Sequence, residues 1–274
     1  MPDLYAVIGN PVAHSKSPLI HAEFARETAQ DLSYVALPAA LDGFEAEVQR
    51  FRDRGGRGLN VTLPFKRRAF ELAHKRTARA EQALAVNTLI FEADTVYGDN
   101  TDGVGLVRDL VSNLRCVLRD RRVLLMGAGG ASYGVCGPLL DEAPAKLVVA
   151  NRTPGKAAAL CAHFRGFHAH AHALSAAGYE ALAGERFDVV INATSAGLSG
   201  AMPALTRGLF APGALAYDMV YGKVTPFMTF ARDEGAAIAD GLGMLVEQAA
   251  ESFHVWRGMR PETAPVIAWL RLEL

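Results

Sequence analysis

The chain has 274 residues and only three cysteines, Cys116, Cys136 and Cys161. They form no C-x-x-C pair and show no metal-ligand spacing. That argues against a disulfide framework or a zinc site and for buried thiols in a reducing compartment. An excess of either charge is also missing, since 28 Lys and Arg face 29 Asp and Glu, a formal net charge of −1. This balance argues against nucleic acid or an anionic membrane as a partner. No stretch approaches the roughly 20 apolar residues that cross a bilayer. Met1-Pro-Asp-Leu-Tyr5 lacks the basic-then-apolar order of a signal peptide. There is no internal repeat and no low-complexity segment. With 50% hydrophobic and 21% charged residues, the expectation is a compact, cytoplasmic protein of one large or two ordinary domains.

Strands and helices alternate along the chain. Leu4–Ile8 reads as a strand running into Gly9-Asn10-Pro11. Helices are expected from about Pro18 to Ala29 and from about Asp42 to Arg54, the second stopped by Gly55-Gly56. Leu59–Leu63 and Ala85–Phe91 read as strands, with Thr95–Tyr97 pairing with the latter as a hairpin. Pro64-Phe65-Lys66 reads as a turn. Gly98-Asp-Asn-Thr-Asp-Gly103 is polar and turn-rich, and a helix is expected after it from about Val104 to Leu114; this is the best domain boundary. Beyond it come the strands Val123–Met126, Leu147–Ala150, Val189–Ile191 and Leu215–Met219, which imply a parallel sheet covered on both faces. Two helices, about Gly243–Trp256 and Pro261–Leu272, close the chain.

Gly127-Ala-Gly-Gly130-Ala-Ser132 lies between a strand and a helix expected from about Ala131. Ser132 occupies the third position of G-x-G-x-x-G, but the strand–turn–helix context is that of a dinucleotide site. Small residues let the backbone approach a pyrophosphate, and the helix start supplies free N–H groups. A site for NAD usually has an acid about 20 residues further on, to accept from the ribose 2′-hydroxyl. Here no Asp or Glu occurs from Ala143 to Tyr179. Asn151-Arg152-Thr153-Pro-Gly-Lys156 instead puts two cations where a 2′-phosphate would lie, and a guanidinium suits phosphate. The cofactor expected is NADP. His168, His170 and His172 alternate with alanines and would share one face of a strand. With no acid or cysteine beside them they read as the polar face of an edge strand, and no metal is expected.

Three further segments combine polar side chains with turns beside strands: His14-Ser15-Lys16-Ser17-Pro18, Asn60-Val-Thr62-Leu-Pro-Phe-Lys66, and Asn87-Thr88 with Asn100-Thr-Asp102-Gly103. Singly, each has a plain alternative. Ser15 or Ser17 could be a helix N-cap, Asp102 could cap the helix after it, and Lys66 could be a solvated loop lysine.

Taken together these segments, with Gly9-Asn-Pro-Val-Ala13, Ala85-Val-Asn-Thr88, Gly127–Ser132, Asn151-Arg-Thr153, Asn192-Ala-Thr194 and Gly241-Leu-Gly-Met-Leu-Val-Glu-Gln248, resemble the shikimate dehydrogenase family nearly end to end. The resemblance implies an α/β fold of two domains. One is an N-terminal α/β substrate domain, residues 1–101 plus 243–274. The other is a Rossmann-type parallel-sheet NADP domain, residues 102–242, with the active site in the cleft between them. The implied reaction is NADP-dependent reduction of 3-dehydroshikimate to shikimate, by a monomer or homodimer. Ser15 and Ser17 would hold the substrate carboxylate. Thr62, Asn87, Asp102 and Gln248 would hold ring hydroxyls, and Tyr221 would close the pocket. Lys66 would transfer the proton, with Asp102 beside it. Gly127, Ala128, Gly129, Gly130, Ala131, Asn151, Arg152, Thr153, Lys156 and Thr194 would bind the cofactor, with Met219 and Gly241 at its nicotinamide end. Tyr133 stands where many relatives have a basic residue, and Ala78 where some have an acid.

Two other readings are open to the sequence. One is a related two-domain dehydrogenase, for quinate and shikimate together or for methylenetetrahydrofolate; the latter should lack the paired serines and the Asn-Thr-Asp-Gly stretch. The other is a non-enzymatic nucleotide sensor, which would be expected to have lost Lys66 or Asp102.

Overall fold

The structure, a computed structural model, describes residues 2–194, 202 and 205–273. It divides into two compact units. The first comprises residues up to Gly105 together with Val246–Glu273, and the second Leu106–Leu245. The chain begins with β1 (Asp3–Gly9), α1 (Ser17–Glu27), β2 (Leu32–Pro38), α2 (Phe44–Asp53), β3 (Gly56–Val61) and α3 (Lys66–Leu72). It continues with β4 (Lys75–Arg76), α4 (Ala78–Ala83), β5 (Thr88–Glu92), β6 (Thr95–Asp99) and α5 (Asp102–Arg108). Then follow β7 (Arg122–Met126), α6 (Gly130–Asp141), β8 (Lys146–Ala150), α7 (Pro154–Arg165), β9 (Leu174–Ala177), β10 (Phe187–Asn192) and β11 (Phe210–Asp218). The last elements are α8 (Pro226–Asp233), β12 (Ala237–Asp240), α9 (Leu242–Arg257) and α10 (Ala264–Glu273).

In the first unit the strands lie in the order β2-β1-β3-β5-β6-β4. β1 runs parallel to β2 and β3, whereas β5 is antiparallel to β3 and β6. This mixture has a consequence for chemistry. The carboxyl ends of β1, β3 and β6 and the amino end of β5 reach the same edge of the sheet. Val7, Asn60, Thr88 and Asp99 sit side by side across it. Alternate residues of β1 separate into two cores, as a pleated strand requires. Ala6 and Ile8 pack with Phe44, Val48, Phe51 and Phe65, while Tyr5 and Val7 pack with Tyr34 and Trp256.

The second unit is all parallel, in the order β12-β11-β10-β7-β8-β9. Counted from β7 this is 3-2-1-4-5-6, the doubly wound arrangement in which a dinucleotide lies where the strand order reverses. Both faces are covered. Val123 and Leu125 join a core with Val135, Leu139 and Leu160; Leu124 and Met126 face Phe227, Met228 and Ala231. That two-sided burial is why these strands read as continuous apolar runs.

The structure departs from the sequence reading at several points. Lys66 opens a helix; it is not a turn residue. The helix expected over Val104–Leu114 gives way to a π-helix at Asp109–Asn113, where buried Asp109 accepts from the Tyr217 hydroxyl at 2.7 Å and from Asn113 at 3.0 Å. A side chain held by a partner outside the helix is one reason for such a bulge. His168–His172 fall in a turn and a 3-10 helix, so no strand aligns them. Their ring atoms are spent locally: His168 Nε2 meets Asp141 at 3.1 Å and His170 Nδ1 the Leu140 carbonyl at 3.0 Å. β2, α3, β4, α4, β9, α8 and β12 have no counterpart in the sequence reading; none exceeds eight residues, which leaves little room for a periodicity to show.

Candidate active site

The edge where β1, β3, β5 and β6 converge carries the polar segments picked out above. Ser15 and Ser17 follow β1; Ser17 is buried, and the Ser15 hydroxyl accepts from the Ser17 N–H at 3.2 Å. Thr62 follows β3, and its N–H reaches the Ile8 carbonyl at 2.9 Å. Four residues later α3 begins, and its first residues are Lys66, Arg67 and Arg68 with no acid in the first turn. Cations at a helix N-terminus oppose the macrodipole. A local rule broken in this way is a mark of function.

Lys66 Nζ donates to Asp102 Oδ2 at 2.6 Å. Asp102 is the first residue of α5 and its side chain is 13% exposed, against 29% for Lys66. The second carboxylate oxygen, Oδ1, accepts from Asn87 Nδ2 at 2.9 Å. Lysine, carboxylate and amide thus form one hydrogen-bonded group, drawn from three segments that follow or precede different strands. Asp102 therefore does not serve as a plain helix cap, and Lys66 is not a free loop cation.

Two buried arrays underlie this group, and sequence motifs gave no signal for most of their members. In one, Tyr34 donates to Asn60 Oδ1 at 2.7 Å, and Asn60 Nδ2 reaches Ser252 of α9 at 2.9 Å. Ser252 lies one turn after Gln248 and reaches its carbonyl at 3.0 Å, which brings that stretch of α9 to the same edge. The other array is ionic. Arg79 grips Asp99 through two bonds of 2.6 and 2.7 Å and Glu251 at 2.8 Å. Arg260 then bridges Glu251 and Glu247 at 2.8 and 2.6 Å. Burial alone would raise the Asp99 carboxyl, but Arg79, the Thr77 hydroxyl and the Asn100 N–H outweigh it and hold it below its ordinary range.

Asp99 precedes Asn100-Thr101-Asp102, and Glu247 and Glu251 flank Gln248 on α9, so the ionic array fixes both segments. Arg79→Met should destabilise the protein by about 3 kcal/mol, the low end for breaking a buried pair, because Glu251 keeps Arg260. Because the Asp99 value is depressed on folding, this contribution is present above about pH 4 and is lost as pH falls through the folded value. Urea titrations of both proteins at pH 7 check it; a change under 1 kcal/mol would show that the array is incidental.

The nucleotide segments occupy the switch point of the second unit. Gly127 ends β7 with φ +102°, and an added Cβ would stand 3.1 Å from the Ala193 carbonyl oxygen at the end of β10. Only glycine suits both the angle and the approach. Ala128 is half-buried, while Gly129, Gly130 and Ala131 are exposed at the start of α6. Space beyond Gly129 and Gly130 is open, and the first turn of α6 holds no acid. These are the conditions for a phosphate to approach free N–H groups. Ser132 is fully buried, too small and enclosed to obstruct that approach.

At the end of β8, Asn151 Nδ2 donates to the Thr153 carbonyl at 3.0 Å, and Thr153 stands at the start of α7. Arg152 and Lys156 are exposed beside that helix start, again with no acid in its first turn. Thr194, after β10, bonds Asn192 Oδ1 through both its N–H and its hydroxyl. Asp218, wholly buried at the end of β11, accepts from Asn192, Val220 N–H and Thr225, and so shapes the loop bearing Met219 and Tyr221. Gly241 is buried against the Met219 carbonyl, where a side chain would collide. Tyr221 is half-buried in this second unit, and burial pushes its phenol up. The donor set fits a dinucleotide with an added phosphate: open small residues, two helix starts without an acid in the first turn, and two exposed cations.

Comparison with known proteins matches this chain to three family models. They are the shikimate dehydrogenase substrate binding domain over residues 7–89, shikimate / quinate 5-dehydrogenase over 109–200, and the shikimate 5'-dehydrogenase C-terminal domain over 241–270. A protein of Nitrosospira multiformis named shikimate dehydrogenase (NADP(+)) is 62% identical, covering 100% of this chain and 99% of its own. One of the same name from Dechloromonas aromatica is 59% identical over the same shares. Among solved structures, an Ael1 enzyme from Pseudomonas putida has a TM-score of 0.92 at 51% identity, covering 98% of each chain. Shikimate 5-dehydrogenase from Thermus thermophilus, in complex with NADP(H) and shikimate, has a TM-score of 0.86 at 32% identity, covering 99% of this chain and 100% of that one.

Proposed function

The chain belongs to the shikimate dehydrogenase family, and from that premise we propose how it carries out the NADP-dependent reduction of 3-dehydroshikimate to shikimate. Lys66 gives the proton, Asp102 and Asn87 hold it in place, and the second unit binds the nucleotide. The observation that carries this reading is the Lys66–Asp102–Asn87 group, with bonds of 2.6 and 2.9 Å, at the sheet edge where Thr62 and the paired serines also end. When bound, NADPH supplies the hydride, and the protein's task is orientation and proton management. Hydride arriving at a carbonyl carbon leaves negative charge on its oxygen. The Lys66 ammonium neutralises that charge and then donates its proton to the oxygen. Partial exposure of Lys66 lets solvent restore the proton.

Specificity follows from hydrogen bonding. Ser15 and Ser17 are assigned to the substrate carboxylate, Thr62, Asn87, Asp102 and Gln248 to hydroxyls, and Tyr221 to the substrate as well. A site of buried polar partners rejects an analogue lacking a hydroxyl because those partners are left unpaired. Gly127, Ala128, Gly129, Gly130 and Ala131 are assigned to the pyrophosphate, and Asn151, Arg152, Thr153 and Lys156 to the adenosine end with its 2′-phosphate. Thr194, Met219 and Gly241 are assigned to the nicotinamide side. The test is a steady-state assay of shikimate and quinate, each with NADP⁺ and NAD⁺. Turnover of shikimate with NADP⁺ should dominate, and no turnover in that pair would refute the reading.

The cofactor assignment makes a separate prediction. Arg152→Ala should raise the KM for NADP⁺ and leave that for NAD⁺ nearly unchanged. Loss of one charge-assisted phosphate contact costs roughly 1.5–3 kcal/mol, or about ten- to a hundredfold in kcat/KM. An equal effect on both cofactors would show that Arg152 does not face the 2′-phosphate.

A further inference from the structure

Asn87 is buried between main-chain and side-chain partners that leave its amide a single orientation. Its Oδ1 lies 2.9 Å from the Thr101 N–H, a group that can only donate. Its Nδ2 lies 2.9 Å from Asp102 Oδ1 and 2.9 Å from Thr101 Oγ1. Turning the amide over would set N–H against N–H at Thr101 and oxygen against carboxylate at Asp102.

Asn60 is fixed in the same way. Its Nδ2 faces the Asn87 carbonyl at 3.2 Å, a group that can only accept, and its Oδ1 takes the Tyr34 hydroxyl. Between these two amides stands Thr88, fully buried. Its Oγ1 is 3.2 Å from Asn60 Nδ2, 2.8 Å from Ser252 Oγ and 2.8 Å from Asn87 Oδ1. Asn60 Nδ2 is a donor, so it supplies a proton toward Thr88 Oγ1. Asn87 Oδ1 is an acceptor, so the Thr88 hydroxyl proton points at it. The hydroxyl thus has a donor at Asn60 and an acceptor at Asn87, with Ser252 Oγ a third neighbour able to donate or accept.

On the functional reading given above, we propose that Thr88 is a positioning residue of the reaction. Its hydroxyl, donating to Asn87 Oδ1 beside the Thr101 N–H, holds the Asn87 amide in register as a donor to Asp102. Asp102 then accepts on both oxygens, from Asn87 on one and Lys66 on the other. Held from both sides, the carboxylate orients the Lys66 amine that exchanges the proton. The hydroxyl touches neither Lys66 nor Asp102 and acts only through Asn87.

The test compares the full-length wild type with Thr88→Val, which keeps the shape and removes the hydroxyl, and Thr88→Ser, which keeps the hydroxyl. Thr88→Val should lower kcat/KM for shikimate roughly ten- to a hundredfold, the scale of a buried bond left unmade. KM for shikimate should rise, KM for NADP⁺ should stay within about twofold, and Thr88→Ser should recover most of the loss, since only the hydroxyl is asked for. A Thr88→Val enzyme with wild-type constants would overturn the proposal. So would one whose activity falls only with its folded fraction, shikimate KM unchanged, or a folded Thr88→Ser that fails to recover. If Thr88→Val does not fold, Thr88→Ala carries the same test with the same expected and overturning results, because it removes the same hydroxyl. Wild-type turnover of shikimate is the control. Its absence strikes the functional reading, whereas an active wild type with an indifferent Thr88→Val strikes only the positioning role.

Discussion

Lys66→Met should lower kcat by roughly 10²–10⁴-fold, the scale of a lost general acid. Methionine keeps the unbranched stem and about the same bulk, so α3 and the packing of Phe65 and Ala69 behind it are left intact. What disappears is the Nζ donor 2.6 Å from Asp102 Oδ2. Asp102 retains the Asn87 amide on its other oxygen, so the carboxylate is not stranded and the hydroxyl partners stay in place. KM for shikimate should therefore change far less than kcat, the pattern for an interaction made mainly in the transition state. Hydride transfer still has its donor and acceptor, which is why a residual rate is expected. A Lys66→Met enzyme with kcat within a few-fold of wild type would remove Lys66 from the reaction.

The second large effect is on stability and depends on pH. His21, on α1 one turn after Ser17, is fully buried, and neither ring nitrogen has a hydrogen-bond partner among the described residues. It stacks on Tyr34 at 4.1 Å with the planes 6° apart, and Phe24, Phe253 and Trp256 surround the pair. Burial in this aromatic cluster pushes the imidazole down from 6.5 to about 3, with the nearby Asn60 side chain opposing. The sign follows directly. Between these values the unfolded chain binds a proton that the folded chain refuses, so stability is full above pH 6.5 and declines toward pH 3.

A shift of this size is worth about 1.4 kcal/mol per pH unit, or about 5 kcal/mol by pH 3. His21→Phe removes the titration while keeping a stacked ring. Any cost of fitting the larger ring is constant with pH, so the variant should gain on wild type by about 3 kcal/mol between pH 7 and pH 4. Urea unfolding at several pH values measures this. Parallel curves for the two proteins would show that His21 takes its proton without penalty.

Some of this was legible in the order of residues. The parallel strands of the second unit announced themselves as apolar runs because both faces of that sheet are buried, and Gly127 because a strand-to-helix turn at φ +102° admits little else. The cofactor class was legible as an absence, the missing acid between Ala143 and Tyr179. α3 was not, since three cations at its start are poor helix-opening residues by local rules. The histidine run misled because alternation implies one face only on a strand, and the segment is a turn.

By itself the sequence determined the α/β class, the nucleotide turn and the polar segments proposed for the reaction, because backbone conformation and chemical type are properties of single residues and their near neighbours. Only the tertiary structure decided which of those groups meet. Lys66 and Asp102 are 36 positions apart, and Asn60 and Ser252 are 192 apart. Their contacts follow from one fact of topology: an antiparallel β5 between β3 and β6 turns the starts and ends of four strands to one edge. No periodicity records such a pairing, because register between distant strands is set by which faces bury together. The direction of each hydrogen bond at that edge is likewise a tertiary fact, fixed where an amide meets a main-chain group with only one role to play.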